Sequence, residues 1–570
     1  MDLKILVGGE AGQGVQTVGA VLSRTFTRAG CHVFADQDYE SRIRGGHNFF
    51  RIRIRDSQVM SISEQIDVLI ALNRESMALH CPELDKNGIA ITDEFRDPEL
   101  CQKYNVVNIP MQRLALEKTG NKLSANSVAM GATMALLNLD VEILLQAVRD
   151  NFTSGKIADD NVAAAKAGYT YVIENIKERK QVDFSPFVKS PRLLLNGNEA
   201  VAAGALAAGC KYLSAYPMTP STSIIEFMAA RQKDFGTVVF QPEDEIAAIH
   251  NALGASYAGV RSMTVTSGGG FCLMVEGLGL SAMTETPVVI VLGQRPGPAI
   301  GLPTRTEQGD LQFALHASHG DFPRVVLAPS TAEDAFWLTI KSFNLAERYQ
   351  LPVIVLTDHY LATSYFTVEK FDTSAIFIDR GLPLKEDELG ETSDYKRHRV
   401  TGSGISPRAL PMFSPALVVM DSDEHNEEGH LIEDAATRVR MVDKRMKKLS
   451  GLRKDIAFPL IYGPKSANVT LVGWGSTFGP LYEASQALRK QGLSINLLHF
   501  TEIWPFPNRA VTGMFTGSEK IFVVENNVSG QFASLFVSET GLKVSGNILK
   551  YDGRPFTSSF IMDALGREDL

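Results

Sequence analysis

The sequence has few cysteines, no surplus of basic residues and no long apolar run. A metal or iron–sulfur site usually takes ligands clustered in sequence, whereas the five cysteines lie far apart without a CxxC pair. A formal net charge of −9 gives nucleic acid no electrostatic reason to bind. No apolar run reaches the roughly 18 residues of a membrane helix. The cysteines are Cys31, Cys81, Cys101, Cys210 and Cys272.

These absences argue against an in-chain iron–sulfur cluster, a nucleic-acid-binding protein and a membrane protein. The first residues read as a strand entering a glycine turn rather than a secretory signal. We therefore expect a cytoplasmic protein.

Apolar stretches typical of buried strands alternate with helical stretches along most of the 570 residues. This alternation predicts an α/β fold with mainly parallel sheets, divided into several domains because the chain is too long for one core. We expect an α/β domain over 1–177, a linker over 178–191, an α/β domain over 192–370, a connector over 371–459 and an α/β domain over 460–570. The connector reads as a long loop, with a solvated segment around His425 and His430, and a charged amphipathic helix.

Glycine- and proline-rich motifs follow several of the predicted strands. In chain order they are GGEAGQGVQTVG, SRIRGGHNFFRIR, SAYPMTPST, QPEDEIAAIHNALGASYAG, TSGGGFCLM, GLPTRTEQGDL, GWGST and VVENNVSGQ. The first two resemble the gamma domain of 2-oxoacid:ferredoxin oxidoreductases. The next four resemble the pyrimidine-binding domain of the alpha subunit, and the last two a transketolase-type C-terminal domain. The order is similar to the fused alpha subunits of the two-chain enzymes, particularly those acting on 2-oxoglutarate.

The resemblance implies an alpha subunit that decarboxylates a 2-oxoacid with coenzyme A and passes two electrons to ferredoxin, reversibly. The expected substrate is 2-oxoglutarate, and pyruvate or another 2-oxoacid is the alternative. The resemblance also implies that this chain binds the pyrimidine side of thiamine diphosphate. The sequence has no GDG…N segment for magnesium and diphosphate. The family places that segment, Mg²⁺ and a [4Fe–4S] cluster in a beta subunit, with two alpha–beta pairs expected.

Glu245 is the expected catalytic residue. Thiamine enzymes need a carboxylate beside the aminopyrimidine ring to favour its imino tautomer. In similar enzymes this glutamate opens a small-residue helix with a glycine nine positions on, and Gly254 has that spacing. The alternative is an acid that stabilises a helix N-terminus, a role for which Glu243 and Asp244 compete.

Thr219 and Arg305 are expected to hold the 2-oxoacid. Pro217 and Pro220 restrict the backbone around Thr219, and the resemblance gives its hydroxyl a hydrogen bond to the substrate. The alternative for Thr219 is an N-cap of the helix near Ser221. Arg305 offers the fork that fits a carboxylate, and its alternative is an ordinary exposed loop arginine.

Glycine-rich turns are expected to let cofactors approach the backbone. The turn near residue 9 has the spacing GxxGxG rather than the dinucleotide fingerprint GxGxxG, and the family implies coenzyme A there. A plain turn without a ligand is the alternative at each place. The expected cofactor-binding residues are Tyr216, Pro217, Ser267, Gly268 and Gly269 on the thiamine side, and Gly9, Gly12 and Gly14 on the coenzyme A side.

The loop ending in Arg44-Gly45-Gly46-His47 is expected to contact substrate. The resemblance turns it toward the active site, where a cation at Arg44 would hold the distal carboxylate of 2-oxoglutarate, with His47 as a second contact. Arg42 is the alternative cation, and a purely structural loop is also open.

Two other classes compete with this interpretation. An enzyme of the transketolase type, or the decarboxylating component of a 2-oxoacid dehydrogenase, should not carry a gamma-type domain before the pyrimidine domain. A non-catalytic assembly protein would not need to keep Glu245, Thr219 and Arg305 together.

Overall fold

Alternating strands and helices build the chain, and the predicted α/β class is confirmed. The computed structural model describes residues 1–42, 45–93, 98–152, 155–180, 182, 192–385, 395–412, 417–515 and 520–567. The chain forms two units. Unit 1 comprises Met1–Asn196, Thr363–Phe371 and Thr557–Phe560, and unit 2 comprises Gly197–Ala362, Asp372–Phe556 and Ile561–Leu570.

The strands are mostly short, and several of them are buried along their whole length. They are β1 (Asp2–Glu10), β2 (His32–Asp38), β3 (His47–Arg55), β4 (Ile66–Ala71), β5 (Leu84–Thr92), β6 (Val106–Asn108), β7 (Arg192–Asn196), β8 (Tyr212–Ser214), β9 (Val238–Phe240), β10 (Ser262–Ser267), β11 (Val288–Gln294), β12 (Val325–Leu327), β13 (Pro352–Asp358), β14 (Tyr365–Glu369), β15 (Leu460–Tyr462), β16 (Val469–Trp474), β17 (Ile495–Phe500), β18 (Glu502–Trp504), β19 (Lys520–Glu525) and β20 (Gly546–Leu549).

The α-helices follow the same alternation. They are α1 (Val15–Arg28), α2 (Arg74–His80), α3 (Pro98–Lys103), α4 (Met111–Thr119), α5 (Ala125–Leu136), α6 (Glu142–Asn151), α7 (Gly155–Asn175), α8 (Gly197–Ala207), α9 (Thr222–Phe235), α10 (Glu245–Tyr257), α11 (Gly268–Met283), α12 (Leu311–His316), α13 (Ala332–Tyr349), α14 (His359–Thr363), α15 (Ala435–Asp455), α16 (Phe478–Lys490), α17 (Asn508–Met514), α18 (Gln531–Thr540) and α19 (Ser558–Leu565).

The sheet of unit 1 has eight strands in the order β6-β5-β4-β1-β3-β2-β14-β7. Its first half is parallel, as the sequence predicted, but β3, β2, β14 and β7 pair antiparallel. For β2 and β3 the physical reason is their short connection, because a parallel return needs a crossover of a dozen or more residues. Apolar and charged residues alternate along β3, as in a half-buried strand.

Unit 2 contains two sheets. The larger has the order β18-β12-β13-β11-β10-β8-β9 and is parallel except at β18. The smaller has the order β15-β17-β16-β19-β20 and is parallel except at β15. Parallel pairing sends the carboxyl ends of β8, β10, β11 and β13 to one edge of the larger sheet.

The connector contains the predicted charged helix, α15, but its surroundings differ from the prediction. Lys444 and Lys448 of α15 are buried and form ion pairs with Glu285, itself fully buried. His425 is buried against His398, so the expectation of a solvated segment is wrong there. The predicted linker over 178–191 lies mostly outside the described residues.

Within the described part of the chain, no helix combines the length and the apolar composition that a membrane crossing requires.

Candidate active site

Polar side chains collect at the carboxyl edge of the larger sheet of unit 2. Thr219 follows β8, and Ser267 is the last residue of β10. Arg295 follows β11, and Asp358 ends β13 with His359 directly after it. Ligands of open α/β sheets bind at this edge, because loops from different strands converge there.

Glu245 is the first residue of α10 and is only 4% exposed. The capping role belongs to the residue before it, since Asp244 accepts a hydrogen bond from the backbone N–H of Ala247 at 2.8 Å. The Oε1 atom of Glu245 is buried and has no hydrogen-bond partner among the described residues. A buried carboxylate oxygen without a donor is costly, so Glu245 is available to a ligand that brings one.

Helix α11 approaches Glu245 closely because it begins with glycines. A Cβ atom on Gly270 would lie 2.5 Å from Glu245 Oε1 and 2.2 Å from Thr266 Oγ1. A Cβ atom on Gly268 would lie 2.6 Å from Asp310 Oδ2. Gly269 has room, with its nearest neighbour at 3.7 Å, and the Ser267 hydroxyl before it is buried without a partner in the described structure.

The loop that carries Thr219 is fixed from three sides. Arg295 Nη1 donates to the Thr219 carbonyl oxygen at 2.8 Å, and Asn198 Nδ2 donates to the Pro220 carbonyl oxygen at 2.7 Å. The N-cap of α9 is Ser221, whose hydroxyl donates to the Thr266 carbonyl oxygen at 2.7 Å. Thr219 therefore does not cap this helix, and its half-buried side chain stays at the edge where Glu245 lies.

Two guanidinium groups lie near His359. Burial, together with the positive charges of Arg305 and Arg295, lowers the pKa of His359 to about 3. The imidazole is therefore neutral at physiological pH. Arg305 is half-buried, and its loop is held where the N–H of Thr306 donates to the Gly553 carbonyl oxygen at 3.3 Å. Two cations beside a neutral donor suit a carboxylate.

Asp310 is the acidic partner of this group. Burial raises its pKa to about 6, an effect that the charge of Arg295 opposes. The backbone N–H of Asp310 donates to Gln294 Oε1 at 3.0 Å, so the residue is anchored to the end of β11.

Sequence reasoning missed Arg295, Asp310 and His359. A signal was present, because Arg295 and His359 each directly follow a strand that is buried along its whole length. Polar residues at such strand ends are candidates for a site even without a motif.

The glycine turn of unit 1 precedes α1. Gly12 and Gly14 have positive φ angles of 92° and 79°, which side-chain-bearing residues rarely adopt. A Cβ atom on Gly9 would lie 2.9 Å from Gln13 Oε1, and one on Gly14 would lie 2.3 Å from Asn126 Nδ2. Asn126 also donates to the Gln13 carbonyl oxygen at 2.7 Å, so the turn is rigidly supported.

A cavity of about 330 Å³ adjoins this turn. Lys122 and Asp93 contribute to its wall, and Asp93 accepts hydrogen bonds from the first backbone N–H groups of α4. Asp93 thus occupies the N-terminus of α4, and the features that suit a phosphate group are the N-terminus of α1 after the glycine turn and Lys122.

His47 begins a hydrogen-bond chain in unit 1. Its Nε2 lies 2.7 Å from His80 Nε2, and His80 Nδ1 lies 3.1 Å from a Glu83 carboxylate oxygen. If Glu83 accepts the proton of His80 Nδ1, His80 Nε2 accepts from His47, which leaves His47 Nδ1 unprotonated. Burial and the neighbouring His80 lower the pKa of His47, so His47 supplies no positive charge.

Arg44 lies outside the described residues. The alternative cation, Arg42, forms an ion pair with Glu40 at 3.0 Å. In the described ranges, no group of three or more histidine, cysteine, aspartate or glutamate side chains is arranged to hold a metal ion.

Three family models match the chain in succession. Residues 4–171 match pyruvate ferredoxin/flavodoxin oxidoreductase. Residues 203–444 match the thiamine diphosphate-binding part of pyruvate flavodoxin/ferredoxin oxidoreductase, and residues 467–560 match core domain II of pyruvate:ferredoxin oxidoreductase.

Relatives match over nearly the whole length. A 2-oxoacid:ferredoxin oxidoreductase alpha subunit of Sulfolobus is 35% identical, covering 99% of this chain and 96% of its own. The 2-oxoglutarate oxidoreductase subunit KorA of Mycobacterium tuberculosis is 28% identical, with 99% and 91% covered. The structure of a 2-oxoglutarate:ferredoxin oxidoreductase from Magnetococcus marinus, with 2-oxoglutarate, coenzyme A and succinyl-CoA bound, superposes with a TM-score of 0.92 at 32% identity and 99% coverage of both chains. The chain is an oxidoreductase subunit and belongs to the alpha subunits of the 2-oxoacid:ferredoxin oxidoreductase family.

Proposed function

We propose that this subunit oxidises 2-oxoglutarate with coenzyme A and oxidised ferredoxin, giving succinyl-CoA, CO₂ and reduced ferredoxin, and that the reaction is reversible. The observation that carries the proposal is the buried, unpartnered carboxylate oxygen of Glu245 at the sheet edge that also holds Thr219, Arg295 and Arg305. Relatives named for 2-oxoglutarate support the choice of substrate.

Glu245 fits the aminopyrimidine side of thiamine diphosphate. The free Oε1 atom needs one donor, and the glycines that open α11 keep side chains away from it. When bound, thiamine diphosphate supplies the carbon nucleophile that attacks the keto group and the electron sink for decarboxylation. The part of this chain is to hold a proton at Glu245 Oε1 and to receive the ring through Ser267, Gly268 and Gly269.

The carboxylate beside the keto group is assigned to Thr219 and Arg305. Arg305 supplies charge next to the neutral His359, and Thr219 supplies a hydroxyl. Arg295 acts as a positioning residue, because its guanidinium holds the Thr219 carbonyl oxygen. The tyrosine and proline before Thr219, Tyr216 and Pro217, form the wall of the proposed thiamine site.

A partner subunit is expected to cover this edge. Several large apolar side chains near the motifs are exposed in the isolated chain, and a Cβ atom on Gly254 of α10 would meet no other part of the described structure within 4 Å. A second chain that covers them would also bring the missing half of the cofactor site. The exposed side chains are Tyr216, Phe240, Ile246, Leu273, Ile300 and Leu302.

We assign the diphosphate-binding domain, Mg²⁺ and the [4Fe–4S] cluster to a beta subunit, with two alpha–beta pairs in the assembly and ferredoxin as electron acceptor. Iron and sulfide analysis of the isolated alpha chain tests this assignment. No iron and no activity are expected, and a stoichiometric cluster in the alpha chain alone would contradict it.

Coenzyme A is assigned to the turn of Gly9, Gly12 and Gly14. The cavity beside this turn, with Lys122 on its wall, supports binding of a phosphate group. Lys122→Ala should raise the KM for coenzyme A about 3–10-fold and leave the KM for the 2-oxoacid unchanged, since one exposed charge contributes about 1 kcal/mol.

The choice of 2-oxoglutarate is assigned to Arg44. An unpaired distal carboxylate in a closed site would cost several kcal/mol, and His47 is held neutral, so an arginine must supply the charge. Arg42 is a matched control because its charge is already paired with Glu40.

The test is an assay of the alpha–beta complex with a panel of 2-oxoacids, coenzyme A and a viologen acceptor. Arg44→Ala should lower kcat/KM for 2-oxoglutarate strongly and kcat/KM for pyruvate little. Arg42→Ala should leave both kcat/KM values unchanged. Equal losses on both substrates would remove the support for 2-oxoglutarate and favour the pyruvate alternative.

A further inference from the structure

A groove of about 440 Å³ lies in unit 2 between α12, β18 and α18. Its wall is polar on the side of α18, where Ser534 and Ser538 lie, and partly aromatic at Trp504. None of the residues assigned above to thiamine, substrate or coenzyme A lines it.

Arg324 contributes to the groove and is only 5% exposed. Its Nη1 atom donates to the Ala314 carbonyl oxygen at 3.3 Å, and its guanidinium lies 4.2 Å from the centre of the Phe322 ring. Among the described residues, no carboxylate forms an ion pair with it. Among the described residues, the five N–H groups of the Arg324 guanidinium thus have one hydrogen-bond acceptor, a backbone carbonyl oxygen at the long distance of 3.3 Å.

Two other buried arginines of unit 2, Arg261 and Arg445, are compensated by carboxylates. Arg261 faces Glu347 at 3.4 Å, and Arg445 faces Glu424 at 2.7 Å. Burial alone lowers the pKa of Arg324 to about 10, so the side chain still carries its charge at neutral pH. A buried, charged guanidinium without an anion is costly, and the adjoining groove has room for one.

We propose that this groove binds a small molecule through one oxyanion group, a carboxylate or a phosphate, placed on the guanidinium of Arg324. The hydroxyls of Ser534 and Ser538 donate to the Gly530 and Leu535 carbonyl oxygens at 2.9 Å, so they reach the anion only by turning away from the helix backbone. Asp321 and Glu539 also line the groove and repel a second negative charge. These carboxylates disfavour a ligand with a second, separate anionic group, such as the dicarboxylate substrate proposed above.

The experiment is a thermal melt of the complex that this subunit forms, at fixed pH and ionic strength. Sodium chloride is replaced in separate arms by acetate, inorganic phosphate or succinate. Acetate or phosphate should raise the melting temperature by roughly 1–3 °C, and succinate by less. A larger rise of the melting temperature in acetate than in phosphate indicates a carboxylate ligand, and the reverse indicates a phosphate ligand.

The response should disappear in Arg324→Gln and persist in Arg231→Gln. Arg231 is a matched control, because it also lies over a phenylalanine ring, at 3.6 Å from the centre of Phe227, and donates to a backbone carbonyl oxygen at 3.1 Å. It does not line the groove.

A second variant keeps the test decisive if Arg324→Gln does not fold. Ser538→Glu places a carboxylate on the exposed wall of the groove, so it should raise the melting temperature without added anion and abolish the response to acetate. Equal responses in wild type and Arg324→Gln, no anion response in the wild type, or an unchanged response in Ser538→Glu would each overturn the proposal.

Discussion

Glu245 and Glu285 are two buried glutamates of unit 2 with opposite surroundings. Glu285 forms ion pairs with Lys444 and Lys448, and its Oε1 lies 3.1 Å from His398 Nδ1. These cations and the hydrogen bond hold the pKa of Glu285 well below its usual range, although burial acts against them. Glu245 has no such partner for its Oε1 atom in the described structure.

We propose that the difference separates a structural carboxylate, Glu285, from a functional one, Glu245. At Glu285 the surrounding chain compensates the charge, so the group joins the connector to the loop before β11. At Glu245 the chain leaves the compensation to a ligand. Residue type alone cannot make this distinction, since both residues are glutamates beside helices.

The largest expected effect is on activity at Glu245. Glu245→Gln should lower kcat by about 10²–10⁴-fold and leave the melting temperature near that of wild type, because only the carboxylate is lost. Turnover of the alpha–beta complex and its thermal melt are the measurements. Glu243→Gln, an exposed neighbour, is the control and should change neither.

The next effect is on stability at Glu285. Glu285→Gln leaves Lys444 and Lys448 buried without their anion, so the complex should lose about 3–5 kcal/mol of unfolding free energy, with turnover per folded molecule unchanged. Because the pKa of Glu285 is lowered, its stabilisation is complete above about pH 5 and is lost as pH falls through the folded pKa.

Denaturation at pH 7 measures this loss. Glu276→Gln is the control, since Glu276 is largely exposed and pairs with His250 at 3.4 Å. If Glu285→Gln loses no more unfolding free energy than Glu276→Gln, the ion pairs of Glu285 do not hold the connector in place.

Gly270→Ala tests the position of the Glu245 carboxylate rather than its charge. The new Cβ atom would crowd Glu245 Oε1 and Thr266 Oγ1, so the carboxylate must move. We expect kcat to fall about 10-fold and stability to fall by about 1–3 kcal/mol. Gly513→Ala is the control, because a Cβ atom at this helical position would meet no other part of the described structure within 4 Å. Wild-type turnover in Gly270→Ala would mean that the position of Glu245 is not critical.

The smallest effect concerns Asp310, a third carboxylate, which is half-buried. Its raised pKa of about 6 means that the folded protein binds more protons than the unfolded chain between about pH 4 and 6, so its ionisation destabilises the fold as pH rises through that window. Asp310→Asn should therefore gain about 1 kcal/mol relative to wild type between pH 5 and pH 8. Urea denaturation at the two pH values measures the change, and a relative loss would contradict it.

Much of the fold was predictable because its strands are apolar and its helices periodic. The glycine turns before α1 and α11 followed from motifs, and the catalytic role of Glu245 is a prediction from a motif. Which strands become neighbours did not, because periodicity carries no information on pairing. The addition of β14 to the sheet of unit 1, beside β2 and β7, is an example.

The polar interior of the connector was also beyond prediction. Lys444 and Lys448 are four residues apart on a highly charged helix, a pattern typical of a solvated face. Their burial depends on Glu285, which is distant in sequence. Arg295 and Asp310 were missed for the same reason, since only the sheet brings them to the glycines of α11.

The central claim is that Glu245 promotes removal of a proton from the thiamine ring, and deuterium exchange at its C2 carbon tests this most directly. The measurement is the exchange rate in alpha–beta complexes loaded with thiamine diphosphate, without substrate, for wild type, Glu245→Gln and Glu285→Gln. We predict a rate at least about 10²-fold lower for Glu245→Gln and a wild-type rate for Glu285→Gln. Wild-type exchange in folded Glu245→Gln would contradict the account.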